Sequence, residues 1–361
     1  MKKFWDKLPK NRPDCAGRPF FVLAPMADVT DAAFRRMFAK YGKPDVTWTE
    51  FVSADGIVSD GIKILKYDLM YTEAERPIVA QLFSSNYEKM RKAARICADM
   101  GFDGIDINMG CPDKSIEKQG AGAAMIKDMK KAGEIIQAVK DGIADSKKRK
   151  SKNMSVSVKT RIGYNKNQID EWIPFLLSQG IDALTVHART RKEMSKVPAR
   201  WEHIKEVVDI RNKMGVKTKI IGNGDVKSVE DGIILAEETG CDGIMVGRGI
   251  FGNPWFFKNL HKINSKFSRV LGRGGREPVP DHSKTLINFT PTIQERLKVM
   301  VEHTKLFEKL LGKVKSFNIM KKHYKAYVNG FPGAQDLRMK LMDAKDSKEV
   351  ERITREFIKT L

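Results

Sequence analysis

Cys111 stands in a Gly-Cys-Pro turn at the end of the run Asp106-Ile107-Asn108-Met109-Gly110-Cys111-Pro112. A thiol of ordinary acidity, with a pKa of about 8.5, is mainly protonated at neutral pH and can act as an acid. The plainer fate of a lone cysteine is a small buried hydrophobe. That reading suits Cys97, on a helical face, and Cys241, which precedes an apolar run. Lys159 lies inside Ser155-Val156-Ser157-Val158-Lys159-Thr160-Arg161. In a closed parallel sheet there is no edge where such a lysine can be solvated, so it must meet an anion or a polarised oxygen. His187 closes another apolar run; a satisfied core histidine is its plainer alternative. Gly224, Gly247 and Gly249 permit close backbone approach, and Arg248 offers a forked cation. Each glycine pair alone is an ordinary turn. Beside Arg248 and Lys159, the set points to a phosphate-bearing cofactor.

These residues share a position only if the elements beneath them repeat. Eight strands are predicted, at Phe20–Met26, Val46–Phe51, Ile78–Phe83, Gly104–Met109, Ser155–Arg161, Ala183–Ala188, Lys219–Gly222 and Gly243–Val246. They are continuous apolar runs more than alternating ones, as a parallel sheet covered on both faces requires. Amphipathic segments lie between them: one opening at Thr30-Asp31, then Asn86–Met100, Glu171–Ser178 and Trp201–Met214. Gly42, Gly101, Gly180, Gly215 and Gly240 follow helical segments, where a left-handed C-cap favours glycine. Eight strand-then-helix units predict a (β/α)8 TIM barrel. A doubly wound open sheet is the alternative, and the absence of GxGxxG after the first strand counts against it. In a barrel, the C-terminal strand ends form one rim. They deliver Ala24-Pro25-Met26-Ala27, Gln81, Asn108 to Pro112, Lys159-Thr160-Arg161, His187-Ala188-Arg189-Thr190, Asn223-Gly224-Asp225 and Gly247-Arg248-Gly249.

The barrel is expected to occupy residues 1–263, followed by a linker or insertion at 264–290 and a smaller all-helical domain at 291–361. The net charge is +21. Residues 258–361 hold 23 Lys/Arg against 11 Asp/Glu, so more than half of the excess lies in the smaller region. Such a balance favours a polyanionic partner. Lys321 and Lys325, one helical turn apart, are candidates to meet phosphates. Tyr324 and Tyr327 share an apolar spacing with Phe317 and Met320 and read as core. The basic run Lys147-Lys148-Arg149-Lys150-Ser151-Lys152 leads into the fifth strand at the opposite end of the barrel, and reads as a solvated loop. No apolar run of about 18 residues is present, so no membrane span is expected. Met1 to Lys7 lack an apolar segment, so no secretory signal is expected. The four cysteines show no CxxC spacing, so neither a metal site nor a disulfide framework is expected, and a cytoplasmic location is.

The stretches Ala24 to Asp31, Asp106 to Pro112, Lys159 to Arg161, His187 to Thr190, Asn223 to Asp225 and Gly247 to Gly249 resemble, in order and spacing, the tRNA-dihydrouridine synthases. The similarity covers about residues 18–260, and extends more weakly to Met320–Lys325 and Gly330–Gly333. It implies FMN, recharged by NADPH or NADH, giving a hydride to uracil C6 while Cys111 protonates C5. It implies that Pro25, Met26 and Ala27 lie along the flavin with Gln81 on its polar edge, and that Lys159 stabilises the reduced ring. His187 would bond flavin or substrate carbonyls. Asn223, Gly224, Asp225, Gly247 and Arg248 would hold the ribityl phosphate, and Asn108 and Arg189 would read the uracil or a nearby phosphate. The implied partner is tRNA, bound by a monomer. An FMN barrel reducing a free pyrimidine or another small molecule is the alternative; it would not need the basic tail. An RNA-binding protein on a degenerate barrel would have no need of Cys111 and Lys159.

Overall fold

The computed structural model describes residues 3–9, 17–148, 152–260 and 289–361. The apolar runs form eight parallel strands: β1 Phe20–Leu23, β2 Thr47–Ser53, β3 Ile78–Phe83, β4 Gly104–Met109, β5 Ser155–Arg161, β6 Ala183–His187, β7 Lys219–Asn223 and β8 Gly243–Val246. Their order is β1-β8-β7-β6-β5-β4-β3-β2. The ring closes where Val22 pairs with Val46 and the Leu23 N–H donates to the Val46 carbonyl at 3.2 Å. This is the expected TIM barrel.

Helices α1 Ala32–Tyr41, α2 Tyr87–Met100, α3 Met129–Ala144, α4 Ile169–Ser178, α5 Glu202–Lys213 and α6 Val229–Thr239 follow β1 and β3 to β7. Asp31, Asn86, Asp128 and Ser228 cap four of them through side-chain oxygens, satisfying amides that have no partner within the helix. The expected repetition is broken twice. After β2 the chain makes two four-residue helices, Ala54–Ile57 and Ile62–Leu65, where Gly56 and Gly61 oppose a longer one. After β8 the described residues make a 3₁₀ turn, Arg248–Ile250, and turns as far as Leu260, in a stretch holding Gly249, Gly252 and Pro254. Gly101, Gly180, Gly215 and Gly240 have the expected positive φ. Gly42 does not, at φ −168°. A Cβ there would lie 2.7 Å from the Pro254 carbonyl oxygen, so this glycine makes room for the chain leaving β8.

Alternation along the strands sorts the core into two layers. Ile105, Ile107, Met109, Val156, Val158, Leu184 and Val186 pack outward under the helices. Phe20, Val22, Trp48, Val79, Ala183, Ile221 and Met245 fill the barrel interior together with Trp5. Trp5 belongs to the turn Phe4–Lys7, tied down by Lys3 Nζ at 2.7 Å from Asp182 at the foot of β6. The N-terminal segment therefore stoppers the end of the barrel opposite the rim.

Helices α7 Ile293–Leu311, α8 Ile319–Tyr327, α9 Ala334–Asp343 and α10 Ser347–Ile358 form the C-terminal region. Thr292 and Glu295 make a reciprocal capping box at the start of α7. Leu297, Met300, Phe307, Met320, Tyr324, Tyr327, Leu337 and Val350 share one apolar cluster, as expected for the two tyrosines. That cluster also takes in Ala33 and Met37 of α1 and Trp255, so the helices are seated on the barrel. Gly252, at φ +70°, sits at the junction; a Cβ there would lie 2.2 Å from the Ala326 carbonyl oxygen of α8. Of the expected linker 264–290, only 289 and 290 are described, and Arg149, Lys150 and Ser151 of the basic run also lie outside the described residues. Among the described residues, no helix is long and apolar enough to cross a membrane.

Candidate active site

Register places the interior groups of neighbouring strands side by side: Gln81 pairs with Asp106, Asp106 with Ser157, and Asn108 with Lys159. These polar side chains sit above the apolar interior and bond to one another. Gln81 Nε2 donates to Asp106 at 2.6 Å, Ser157 Oγ donates to its other oxygen at 2.5 Å, and Asn108 Nδ2 donates to Gln81 Oε1 at 3.2 Å. Burial pushes the Asp106 carboxyl up to about 6, against its hydrogen bonds and the Lys159 charge.

The turn carrying Cys111 is clamped on three sides. Asn108 Oδ1 accepts from the amides of Gly110 at 3.1 Å and Cys111 at 2.9 Å. Arg161 Nε donates to the Gly110 carbonyl at 2.8 Å, and the Ala123 amide donates to the Cys111 carbonyl at 2.9 Å. Burial raises the Cys111 thiol above its ordinary pKa, although Lys159 and Arg161 pull the other way. The thiol is thus a held, protonated group at neutral pH.

Beside it, over β5 to β8 and β1, lies a cleft of about 770 Å³. Its lining includes Pro25, Met26, Lys159, His187, Arg189, Asn223, Gly224, Asp225, Gly247 and Arg248, ten of the residues singled out from the sequence. Gln81 and Asn108 are buried and not part of this lining, Cys111 follows the end of the adjacent strand β4, and Ala27 is exposed. Lys321 and Lys325 are on α8, away from the cleft lining, and make no ion pair among the described residues.

The Lys159 ammonium makes no hydrogen bond or ion pair to a described residue. Burial, then the Arg161 charge, push it down to about 8, with Asp106 and Cys111 opposing. A cation in that position favours any ligand that brings an anion or a polarised oxygen. His187 is held well below its usual pKa by burial and by Arg161, Lys159, Arg189 and Arg248. It is neutral, and its Nε2, 3.0 Å from an Arg189 nitrogen, must accept, which puts the ring proton on Nδ1. Arg189, 2% exposed, also donates to the Val197 carbonyl at 2.6 Å and to Asp225. Three of its five N–H groups are therefore engaged by the protein.

Asp225 adopts a left-handed backbone at φ 53°. Burial opposes its ionisation, but the Ala199 amide, Arg189 and Arg248 outweigh that and hold it below the usual carboxylate range. Its side chain orients the exposed Arg248, 3.1 Å away. Gly224 is at φ +136°, and a Cβ there would come within 2.6 Å of Ala199 Cβ, so a substituent would crowd the cleft wall. Sequence reasoning missed Ser195 and Met245 in the lining, and it missed the bridging role of Asp106. The acid inside an apolar strand was a visible signal for Asp106; nothing local marked Ser195.

Among the described residues, no group of His, Cys, Asp or Glu side chains is arranged to hold a metal ion. The profile of the family described as "Dihydrouridine synthase (Dus)" matches residues 22–361. The chain is 37% identical over 361 residues to "Probable tRNA-dihydrouridine synthase" of Staphylococcus aureus (strain COL), covering 99% of this chain and 96% of that protein. It is likewise 37% identical over 358 residues to "Probable tRNA-dihydrouridine synthase 2" of Bacillus subtilis (strain 168), covering 99% and 97%. Among solved structures, the chain is similar to morphinone reductase in complex with tetrahydroNAD, at 13% identity and a TM-score of 0.43, over 67% of this chain and 86% of that one.

Proposed function

The chain belongs to the dihydrouridine synthase family, and we propose that it reduces the C5–C6 double bond of a uridine in tRNA, as a cytoplasmic monomer using FMN recharged by NADPH or NADH. One observation carries this reading. The same rim holds a cleft with an unpaired lysine ammonium and, on the next strand, a clamped and protonated thiol.

The residues fit FMN. Lys159 offers its charge to the anionic edge of a reduced flavin ring, and the apolar Pro25-Met26-Ala27 stretch offers a surface for its face. Gly224, Gly247 and Arg248 suit a phosphate; Asn223 and the Asp225 carboxylate hold that wall, the latter by aiming Arg248. Bound FMN would supply the hydride that reaches uracil C6. The protein's own part is acid catalysis and positioning. Cys111 donates a proton from Sγ to C5, and nearby Lys159 and Arg161 stabilise the thiolate left behind. Neutral His187 donates from Nδ1 to a carbonyl without adding charge. Asn108 holds the Cys111 turn, Gln81 holds Asn108, and Arg189 has N–H groups left for a carbonyl or phosphate.

A uridine inside folded RNA must leave its stack to reach this rim. We assign the barrel to residues 1–263 and the RNA grip to 291–361, where Lys321 and Lys325 meet the phosphate backbone. Incubating the purified protein with unmodified tRNA and NADPH, then mapping dihydrouridine, tests the proposal. A protein that retains FMN yet modifies no tRNA refutes the substrate. A protein that binds no added FMN refutes the cofactor.

A further inference from the structure

Lys315 lies in the turn that follows α7, its amide donating to the Leu311 carbonyl at 2.8 Å, and it reaches out of the helical region into the barrel. Its ammonium is 2.8 Å from Glu50 Oε2, 2.8 Å from Asp68 and 3.8 Å from Asp28. Glu50 is on β2 and 4% exposed. Its other oxygen, Oε1, accepts the Asp28 amide at 2.5 Å. Asp28 has a left-handed backbone at φ 53°, a conformation that costs a non-glycine residue energy and persists where neighbours enforce it. It ends the Pro25-Met26-Ala27-Asp28 turn, two residues of which line the cleft. The rest of the turn closes on itself: Thr30 Oγ1 accepts the Met26 amide at 2.9 Å, and the Met26 carbonyl accepts the amides of Val29 and Thr30. From outside that closed unit Glu50 anchors its Asp28 end, while Arg35 Nη1 donates to the Thr30 carbonyl at 2.8 Å.

We infer that Lys315 and Glu50 form a positioning latch, through which the seated helical region holds the Pro25–Asp28 wall of the cleft in its binding shape. A buried carboxylate keeps a fixed geometry only while a charge partner or donor satisfies it. Lys315 is that partner for Glu50, and it comes from an element more than two hundred residues away in the chain. The consequence for FMN rests on the cofactor reading above; the consequence for the turn does not.

The test compares wild type with Lys315→Met, Glu50→Gln/Lys315→Met and Glu50→Ala/Lys315→Met. Two measurements are made on FMN-free protein: amide hydrogen exchange and titration with FMN. In Lys315→Met, exchange over Asp28 to Thr30 is expected to quicken about tenfold while β5 is unchanged, and FMN affinity to fall about tenfold. The glutamine double variant keeps an acceptor for the Asp28 amide without a buried unpaired charge. It should recover most of the protection, whereas the alanine double variant should not. Unchanged exchange at Asp28 in Lys315→Met, or equal exchange at Asp28 in the two double variants, would overturn the latch, and the second result decides it where Lys315→Met itself fails to fold. If wild type binds no FMN but the exchange pattern holds, the cofactor reading falls and the latch stands.

Discussion

His303 on α7 and His323 on α8 stand with ring centroids 4.9 Å apart, both packed against Phe34 of α1, and both fully buried. No ring nitrogen of either has a hydrogen-bond partner among the described residues. Burial pushes His303 down to about 3 and His323 well below its ordinary value, the latter further disfavoured by the His303 ring beside it. In the unfolded chain both titrate near about 6.5. A base with a depressed pKa contributes stability in full above 6.5 and loses it as pH falls toward the folded value, because only the unfolded state takes up protons in that window. At pH 5.0 each ring has forfeited about 2 kcal/mol, and the pair about 4 kcal/mol. That is a large part of a typical domain's roughly 5–15 kcal/mol. The loss falls on the α1–α7–α8 junction that seats the helical region. Urea unfolding at pH 7.5 and 5.0, for wild type and for His303→Leu/His323→Leu, isolates it. The wild type should lose about 4 kcal/mol more than the double variant between the two pH values. Parallel pH dependence in the two proteins would mean that the rings are solvated or hydrogen-bonded in solution, and would refute the reasoning.

Three further outcomes are expected. Cys111→Ala should retain FMN and accept hydride from NADPH, yet form dihydrouridine about 100- to 10,000-fold more slowly; in wild type, proton donation should fail as pH rises through the raised thiol pKa, which a pH–rate profile reads. Arg248→Ala should shed FMN during purification, whereas Lys159→Met should keep more of it but turn over slowly; flavin absorbance and steady-state rates separate the two, and full colour with full activity in both would contradict the cleft assignment. Lys321→Ala/Lys325→Ala should weaken tRNA binding and lower the slope of log affinity against log salt by about two, with NADPH oxidation in the absence of tRNA unchanged; affinity measured at two salt concentrations decides it.

The periodic part of this protein was open to sequence reasoning. Eight β-rich runs predicted eight strands, with Ile78–Phe83, Gly104–Met109, Ser155–Arg161 and Gly243–Val246 matching residue for residue, because a strand covered on both faces is richer in apolar residues than a half-exposed one. Once the barrel was inferred, the rim followed, since strand direction alone decides which end carries Lys159, His187 and Arg248. Glycine was the weaker guide. Gly101 and Gly240 cap helices as their positions suggest, but Gly42 answers to Pro254, a contact that no local pattern encodes. What only the tertiary structure decided are the pairings between distant segments. Trp5 stoppers the barrel foot, Asp106 ties β3 to β5, Arg189 is drawn to Asp225, and Lys315 reaches Glu50 across the join between barrel and helices. Local spacing reports hydrophobic period and backbone preference. It does not report which buried charge will meet which, because that depends on how packed elements bring far-apart residues within a few ångströms, where burial sets both the partner and the protonation state.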